Sequence, residues 1–172
     1  TALTIGGDAT EERNVIGSSS TGGIVIGDAG SAIDYTIRNN YIGLGSDGST
    51  SRGNTLSGIT ISDGGTVTLT DNVVSKNVGS GVSITGGTSL VAKGNKIGTT
   101  ATGLVAAGNT LYGLLINASA MASIIIGGSA AGEGNTISAN TGYGVLIADV
   151  AASNTPISFL GNYIGIGSDG TT

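Results

Sequence analysis

The chain has 172 residues, of which 33 are glycine and 1 is proline, and only 10% are charged. Its 6 basic and 11 acidic residues give a formal net charge of −5, and the basic residues form no run, so neither nucleic acid nor an anionic membrane surface is an expected partner. The lack of cysteine excludes disulfides and thiolate metal sites, and no apolar stretch reaches the roughly 20 residues that a membrane-inserted helix needs.

Short apolar segments that follow a glycine recur along the chain and predict β-strands. In chain order they are GIVI from Gly23, GITI from Gly58, GVSI from Gly81, GLLI from Gly113 and GVLI from Gly144. β-Branched residues dominate them, and Gly, Asn, Ser or Asp bounds each one. Their last residues are expected to form one inward-facing column: Ile26, Ile61, Ile84, Ile116 and Ile147. The best local candidate for helical character is 101–107, which Gly103 weakens.

A second recurring unit is asparagine followed two residues later by an aliphatic residue. Asparagine tolerates the left-handed backbone conformation of a tight turn, and stacked asparagine side chains can hydrogen-bond to one another. We therefore predict structural turn positions at Asn14, Asn40, Asn54, Asn72, Asn95, Asn109, Asn135 and Asn162.

Longer self-similarity groups these units into a super-repeat. The segment from Ile5 matches the segment from Ile126, an offset of 126 − 5 = 121 residues, and NYIGLGSDGST from Asn40 matches NYIGIGSDGTT from Asn162. The segments from Asn40 and Asn95 also align without gaps for 22 residues. With no initiator Met at Thr1, residues 1–172 are expected to be a single segment of a longer array built from copies of about 121 residues.

A strand of three residues cannot bury its apolar face alone, but coils stacked about 4.8 Å apart would pair it with like strands above and below. The segments GNTISANTGYGVLI (134–147) and GNYIGIGSDGTT (161–172) resemble the parallel β-helix repeat proteins, which include pectate-lyase-like enzymes and large bacterial surface proteins. The expected fold is therefore all-β, a right-handed single-stranded parallel β-helix of about six to seven coils. A β-sandwich or barrel is the alternative, although it favours steadier turn spacing and more aromatic residues.

The resemblance implies two kinds of catalytic site, and the sequence fits neither well. The lyases use an Arg or Lys base with calcium held by several Asp residues, and the hydrolases use clustered Asp residues with a His. This chain has no His and no Asp-Asp or Asp-x-Asp pair. Arg38, Arg52, Lys93 and Lys96 could serve as bases, but solvated loop charges are the simpler interpretation. We therefore expect no catalytic residues.

Two carboxylates are weak calcium candidates. Asp47 and Asp169 occupy two copies of Gly-Ser-Asp-Gly, and aspartates in glycine-rich loops can bind calcium. The middle copy of this segment reads GTTATG and lacks the Asp, so simple Asp-Gly turns are favoured. No metal or cofactor is therefore expected, with calcium as the alternative. Glu11 and Glu12 are matched by Gly132 and Glu133, which favours a surface turn over a catalytic pair.

These features favour a bacterial, secreted or cell-surface structural or adhesive rod, which could join a surface fibre by stacking end to end. The alternative is a carbohydrate-binding or lyase-like β-helix. Expected partners are further copies at its ends, a surface glycan or a host receptor.

Overall fold

A computed structural model describes residues 2–27, 33–118, 121–148 and 155–171. Within these ranges the chain forms 17 β-strands and one 3-10 turn, Thr10–Glu12. Every strand pairs in parallel with strands of the neighbouring coils, and each complete coil gives one strand to each of three sheets. This arrangement confirms the predicted parallel β-helix.

Three sheets run along the axis, and we name them A, B and C in the order in which a coil visits them. Sheet A contains β1 (Ala2–Ile5), β4 (Asp34–Arg38), β7 (Thr66–Thr70), β10 (Ser89–Lys93), β13 (Ser123–Gly127) and β16 (Ile157–Leu160). Sheet B contains β2 (Val15–Ile16), β5 (Tyr41–Ile42), β8 (Val73–Val74), β11 (Lys96–Ile97), β14 (Thr136–Ile137) and β17 (Tyr163–Ile164). Sheet C contains β3 (Ile24–Ile26), β6 (Ile59–Ile61), β9 (Val82–Ile84), β12 (Leu114–Asn117) and β15 (Val145–Ala148). The described residues thus make five complete coils and the first two strands of a sixth.

Alternate residues of each strand face the interior and stack in columns. In sheet C the column follows the predicted order, because the register pairs Ile26 with Ile61, Ile61 with Ile84, Ile84 with Ile116 and Ile116 with Ile147. The three middle isoleucines are fully buried, and the two outer ones are half-buried because only one side of each is covered. The intervening residues of these strands face outward, as the two-residue period of a strand requires.

Coil length varies without disturbing this stack. Equivalent corner asparagines are separated by as few as 23 and as many as 40 residues. The additional residues lie in loops outside the cylinder, at the corners between strands. One such loop includes 101–107, where the weak helical expectation is wrong: an antiparallel bridge joins Thr99 to Ala106 and closes a hairpin-like loop. Gly103, with φ +79°, makes its turn and precludes a helix.

The corners differ from the sequence prediction in one respect. At six of the ten ladder positions the left-handed conformation falls on the residue before the asparagine, as at Asn39 (φ 54°), Asp71 (φ 55°) and Lys76 (φ 63°), and no ladder asparagine adopts it. The predicted left-handed role of the turn asparagines is therefore wrong. At these six positions the preceding residue makes the bend, and the asparagine side chain lies along the helix axis.

Candidate functional site

Six of the predicted turn asparagines form one continuous hydrogen-bonded ladder at the corner between sheets A and B. Its members are Asn14, Asn40, Asn72, Asn95, Asn135 and Asn162. In each step the backbone N–H and the side-chain Nδ2 of one asparagine donate to the Oδ1 of the asparagine in the next coil, over 2.8–3.1 Å. From Asn40 onward, Nδ2 also donates to a carbonyl of sheet A in the preceding coil. The ladder therefore joins three consecutive coils at every step.

A second ladder occupies the corner between sheets B and C. It contains Asn54, Asn77, Asn109 and Asn140, linked over 2.8–3.2 Å, and the N–H of Ser19 heads it by donating to Asn54. The predicted positions Asn54 and Asn109 belong to this ladder. Asn77 and Asn140 were missed because no aliphatic residue follows them at the second position. A different regularity could have found them: every member lies four residues before the glycine that heads a sheet C strand.

Hairpin-like loops of every second coil contact one another outside the second ladder. They span 43–53, 98–108 and 165–171, and we call them the hairpin ridge. The first loop meets the second through a hydrogen bond from Ala101 N to Gly48 O (2.9 Å), and the second meets the third through one from Ser168 N to Gly103 O (3.0 Å). The gapless alignment from Asn40 and Asn95 reflects this shared loop structure.

Both calcium candidates lie in the hairpin ridge, where their carboxylates hold their own turns. Asp47 accepts hydrogen bonds from the Thr50 Oγ1 (2.6 Å), the Thr50 N–H (2.9 Å) and the Ser49 N–H (3.0 Å). The bonds from Thr50 and Ser49 hold the pKa of Asp47 well below its usual range. Asp169 accepts from the N–H of Thr171 (2.9 Å). Nowhere in the described ranges do three or more acidic side chains gather as a metal site would require.

The four candidate bases do not converge. Arg38 pairs with Asp8 of the preceding coil at 2.6 Å, and Lys93 pairs with Glu133 of the following coil at 2.7 Å. Arg52 lines a separate cavity of about 440 Å³, together with Asp47. Arg38 and Lys93 therefore belong to ion pairs between coils, and Arg52 lies apart from both.

Lys96 lines a groove on sheet B. The groove has a volume of about 820 Å³ and runs between the loop 128–134 and the hairpin ridge. Outward residues of three successive strands form its floor, namely Lys96, Thr136 and Tyr163. Asp71 contributes a carboxylate at its edge. An amino group, a phenol ring and a hydroxyl in one groove could contact a polar chain molecule.

Comparison with known proteins agrees with this geometry. A family model described as the right-handed β-helix region matches residues 3–166. Searches of curated proteins and of solved structures returned no match.

Proposed function

The chain belongs to the right-handed β-helix family, and we propose that it acts as a stiff segment of a structural or adhesive rod on a bacterial surface or outside the cell. The observation that carries the proposal is the continuity of the two asparagine ladders and the three sheets. From the first coil to the fifth, all three sheets and the first ladder join each coil to the next, and sheets A and B and the first ladder join the fifth coil to the sixth. The second ladder joins the asparagines of the second to the fifth coils.

This continuity favours stiffness along the axis. Bending would separate coils on one side, which would break parallel strand pairs together with asparagine bonds whose groups are shielded from water. A buried polar group that loses its partner costs about 1–3 kcal/mol. Neighbouring coils share such contacts at the two corners that carry the asparagine ladders, so local bending would be opposed at every step.

The faces of the first and last coils suggest how a rod could extend. Leu3 is 45% exposed at one end, and Ile157 and Phe159 are 48% and 41% exposed at the other. These side chains belong to inward columns, and the strand edges beside them can pair with further coils. Further coils or end-to-end stacking would cover them. The loops would then remain free to meet a glycan or a receptor.

The proposal is tested by electron microscopy of the purified chain and by immunolabelling of the cells that produce it. We expect straight rods that lengthen by about 4.8 Å for each coil, and antibody labelling of intact cells. Labelling that requires broken cells would overturn the surface location. Particles without a constant diameter would overturn the rod.

A carbohydrate-binding or lyase-like function is the second candidate, and the groove on sheet B favours it. Lys96 and Tyr163 could contact an acidic or neutral sugar chain there. We would measure binding and cleavage of uronate polymers with and without calcium, using Lys96→Ala and, as a control outside this groove, Arg52→Ala. Binding or cleavage that Lys96→Ala alone abolishes would favour this function over the rod.

No helix in the described parts of the chain is both long and apolar enough to cross a membrane. The proposed surface location does not depend on such a helix.

A further inference from the structure

Two glutamates 121 residues apart hold the same loop in the first and fifth coils. In the first coil, Ala9 N donates to Glu12 Oε2 at 3.0 Å, and in the fifth, Ala130 N donates to Glu133 Oε2 at 3.1 Å. Both loops lie between a sheet A strand and a sheet B strand. The two carboxylates therefore occupy equivalent positions.

The fifth coil shows what such a loop binds. Lys93 of the preceding coil donates from Nζ to Glu133 Oε1 at 2.7 Å, and Gly94 donates from its N–H to the Glu133 carbonyl at 3.0 Å. Both charged side chains are only about one-third exposed, at 32% and 31%. Glu12 is exposed and meets no basic side chain among the described residues.

The first asparagine ladder also differs between the first and fifth coils. Asn135 accepts two bonds from Asn95 at 2.9 Å and returns one from Nδ2 to Ala92 O at 2.8 Å. Its equivalent Asn14 donates forward to Asn40, but its Oδ1 accepts no bond from the described residues. The face of the first coil thus offers an open acceptor where a preceding coil would place N–H donors.

We propose that this face binds a β-helical coil of the fourth coil's kind, supplied by a further copy of the 121-residue repeat. The face, which we call the first-coil face, consists of Leu3, Glu12, Asn14, Val15 and Gly17. The incoming coil places a lysine against Glu12 and an asparagine against Asn14. This inference rests on the proposed function and specifies which coil extends the rod.

Two other coils lack a positive charge at the position of Lys93, so they are less suited than the fourth coil to lie against Glu12. The sheet A register aligns Lys93 with Thr70 of the third coil and, two coils further on, with Leu160 of the sixth. Neither residue can neutralise Glu12. The third coil would also bring Asp71 next to the loop, in the position of Gly94, where two carboxylates would repel each other.

The second coil carries Arg38 in the place of Lys93, but the residue that follows Arg38 would not fit against the loop of the fifth coil. In the second coil Asn39 occupies the position of Gly94. A Cβ at Gly94 would lie 2.9 Å from the carbonyl oxygen of Gly132, so the loop of the fifth coil leaves room for glycine alone.

The test extends the full chain by one coil. A copy of residues 89–122 replaces Thr1, so that the copied β10, β11 and β12 precede β1 as the originals precede β13. Hydrogen exchange then reports on the amides of Val15 and Gly17. Their equivalents in the fifth coil, Thr136 and Ser138, donate to the preceding coil at 2.8 and 3.0 Å.

We expect the added coil to slow exchange of these two amides by about a hundredfold or more. Changing the copied lysine to glutamate should make exchange of these two amides roughly fivefold faster than with the lysine. Glu12→Gln should remove this difference between the lysine and glutamate versions. Equal protection by both versions, with or without Glu12, would overturn the proposal. That result would leave the rod itself intact, because rod shape is read independently by electron microscopy.

Discussion

Asn95 is the side chain whose removal tests the ladder most directly. It lies in the middle of the first ladder and is 2% exposed. Its Oδ1 accepts from Asn72 N (3.1 Å) and Asn72 Nδ2 (3.0 Å), and its Nδ2 donates to Asn135 Oδ1 (2.9 Å) and Leu69 O (2.8 Å). Asn95→Ala deletes both atoms while preserving the backbone.

The expected loss follows from the groups left without partners. The backbone N–H of Asn72 loses its acceptor, and the carbonyl of Leu69 loses the donor from Asn95. Each buried group without a partner costs about 1–3 kcal/mol, so we expect Asn95→Ala to lower the free energy of unfolding by about 3–5 kcal/mol. This is a large share of the roughly 5–15 kcal/mol that stabilises a typical domain.

The assay is equilibrium urea unfolding followed by circular dichroism, with Asn14→Ala as the matched control. Asn14 belongs to the same ladder but is exposed, and among the described residues its side chain makes a single bond, from Nδ2 to Asn40 Oδ1 at 2.9 Å. We expect the control to lose less than about 1 kcal/mol. Equal losses for Asn14→Ala and Asn95→Ala would refute the idea that burial of the ladder is what stabilises the coil stack.

Other perturbations test the core, the corners and the charge pairs. Ile84→Ala should lower the free energy of unfolding by about 2–5 kcal/mol in the same assay, and Ile26→Ala, at the half-buried end of that column, should lower it by less. Gly98→Ala should destabilise more than Gly132→Ala: both glycines have positive φ, but only at Gly98 would a Cβ meet a backbone carbonyl of the next coil, so similar melting temperatures would argue against the packed corner. The Lys-bound carboxylate of Glu133 has a pKa below its ordinary value of 4.5, so its stabilisation is present above that pH and is lost as the pH falls below it. The stability difference between wild type and Glu133→Gln should therefore hold between about pH 5 and pH 7 and shrink in more acidic buffer, and a difference that grows there would contradict the ion pair.

The inward columns could be predicted from the sequence because they depend on local patterns. A glycine followed by alternating aliphatic residues specifies both a short strand and its buried side. Ile61 and Ile84 are aligned in this way although they belong to different coils. The super-repeat supports the same alignment, since equivalent residues of stacked coils occupy equivalent positions.

Contacts between loops could not be predicted in the same way. Lys93 and Glu133 are 40 residues apart, and the intervening coil is longer than the coils before it. No fixed period therefore brings the two charges together. Asn77 and Asn140 were missed for a different reason: they have equivalent places in the second ladder but lack the expected aliphatic residue two positions later.

The variation in coil length has a consequence for function. The buried asparagines of the two ladders and the buried inward isoleucines make the contacts that join each coil to its neighbours. The exposed tips of the hairpin ridge and of the loop 128–134, such as Leu104, Val105 and Ala131, lie outside this framework, so these residues can change without unfolding the cylinder. In the proposed surface rod, this separation would let recognition of a glycan or a receptor vary along the array while the stacking of the coils stays the same. The groove on sheet B, which loop 128–134 and the ridge create together, is where such variation would act first.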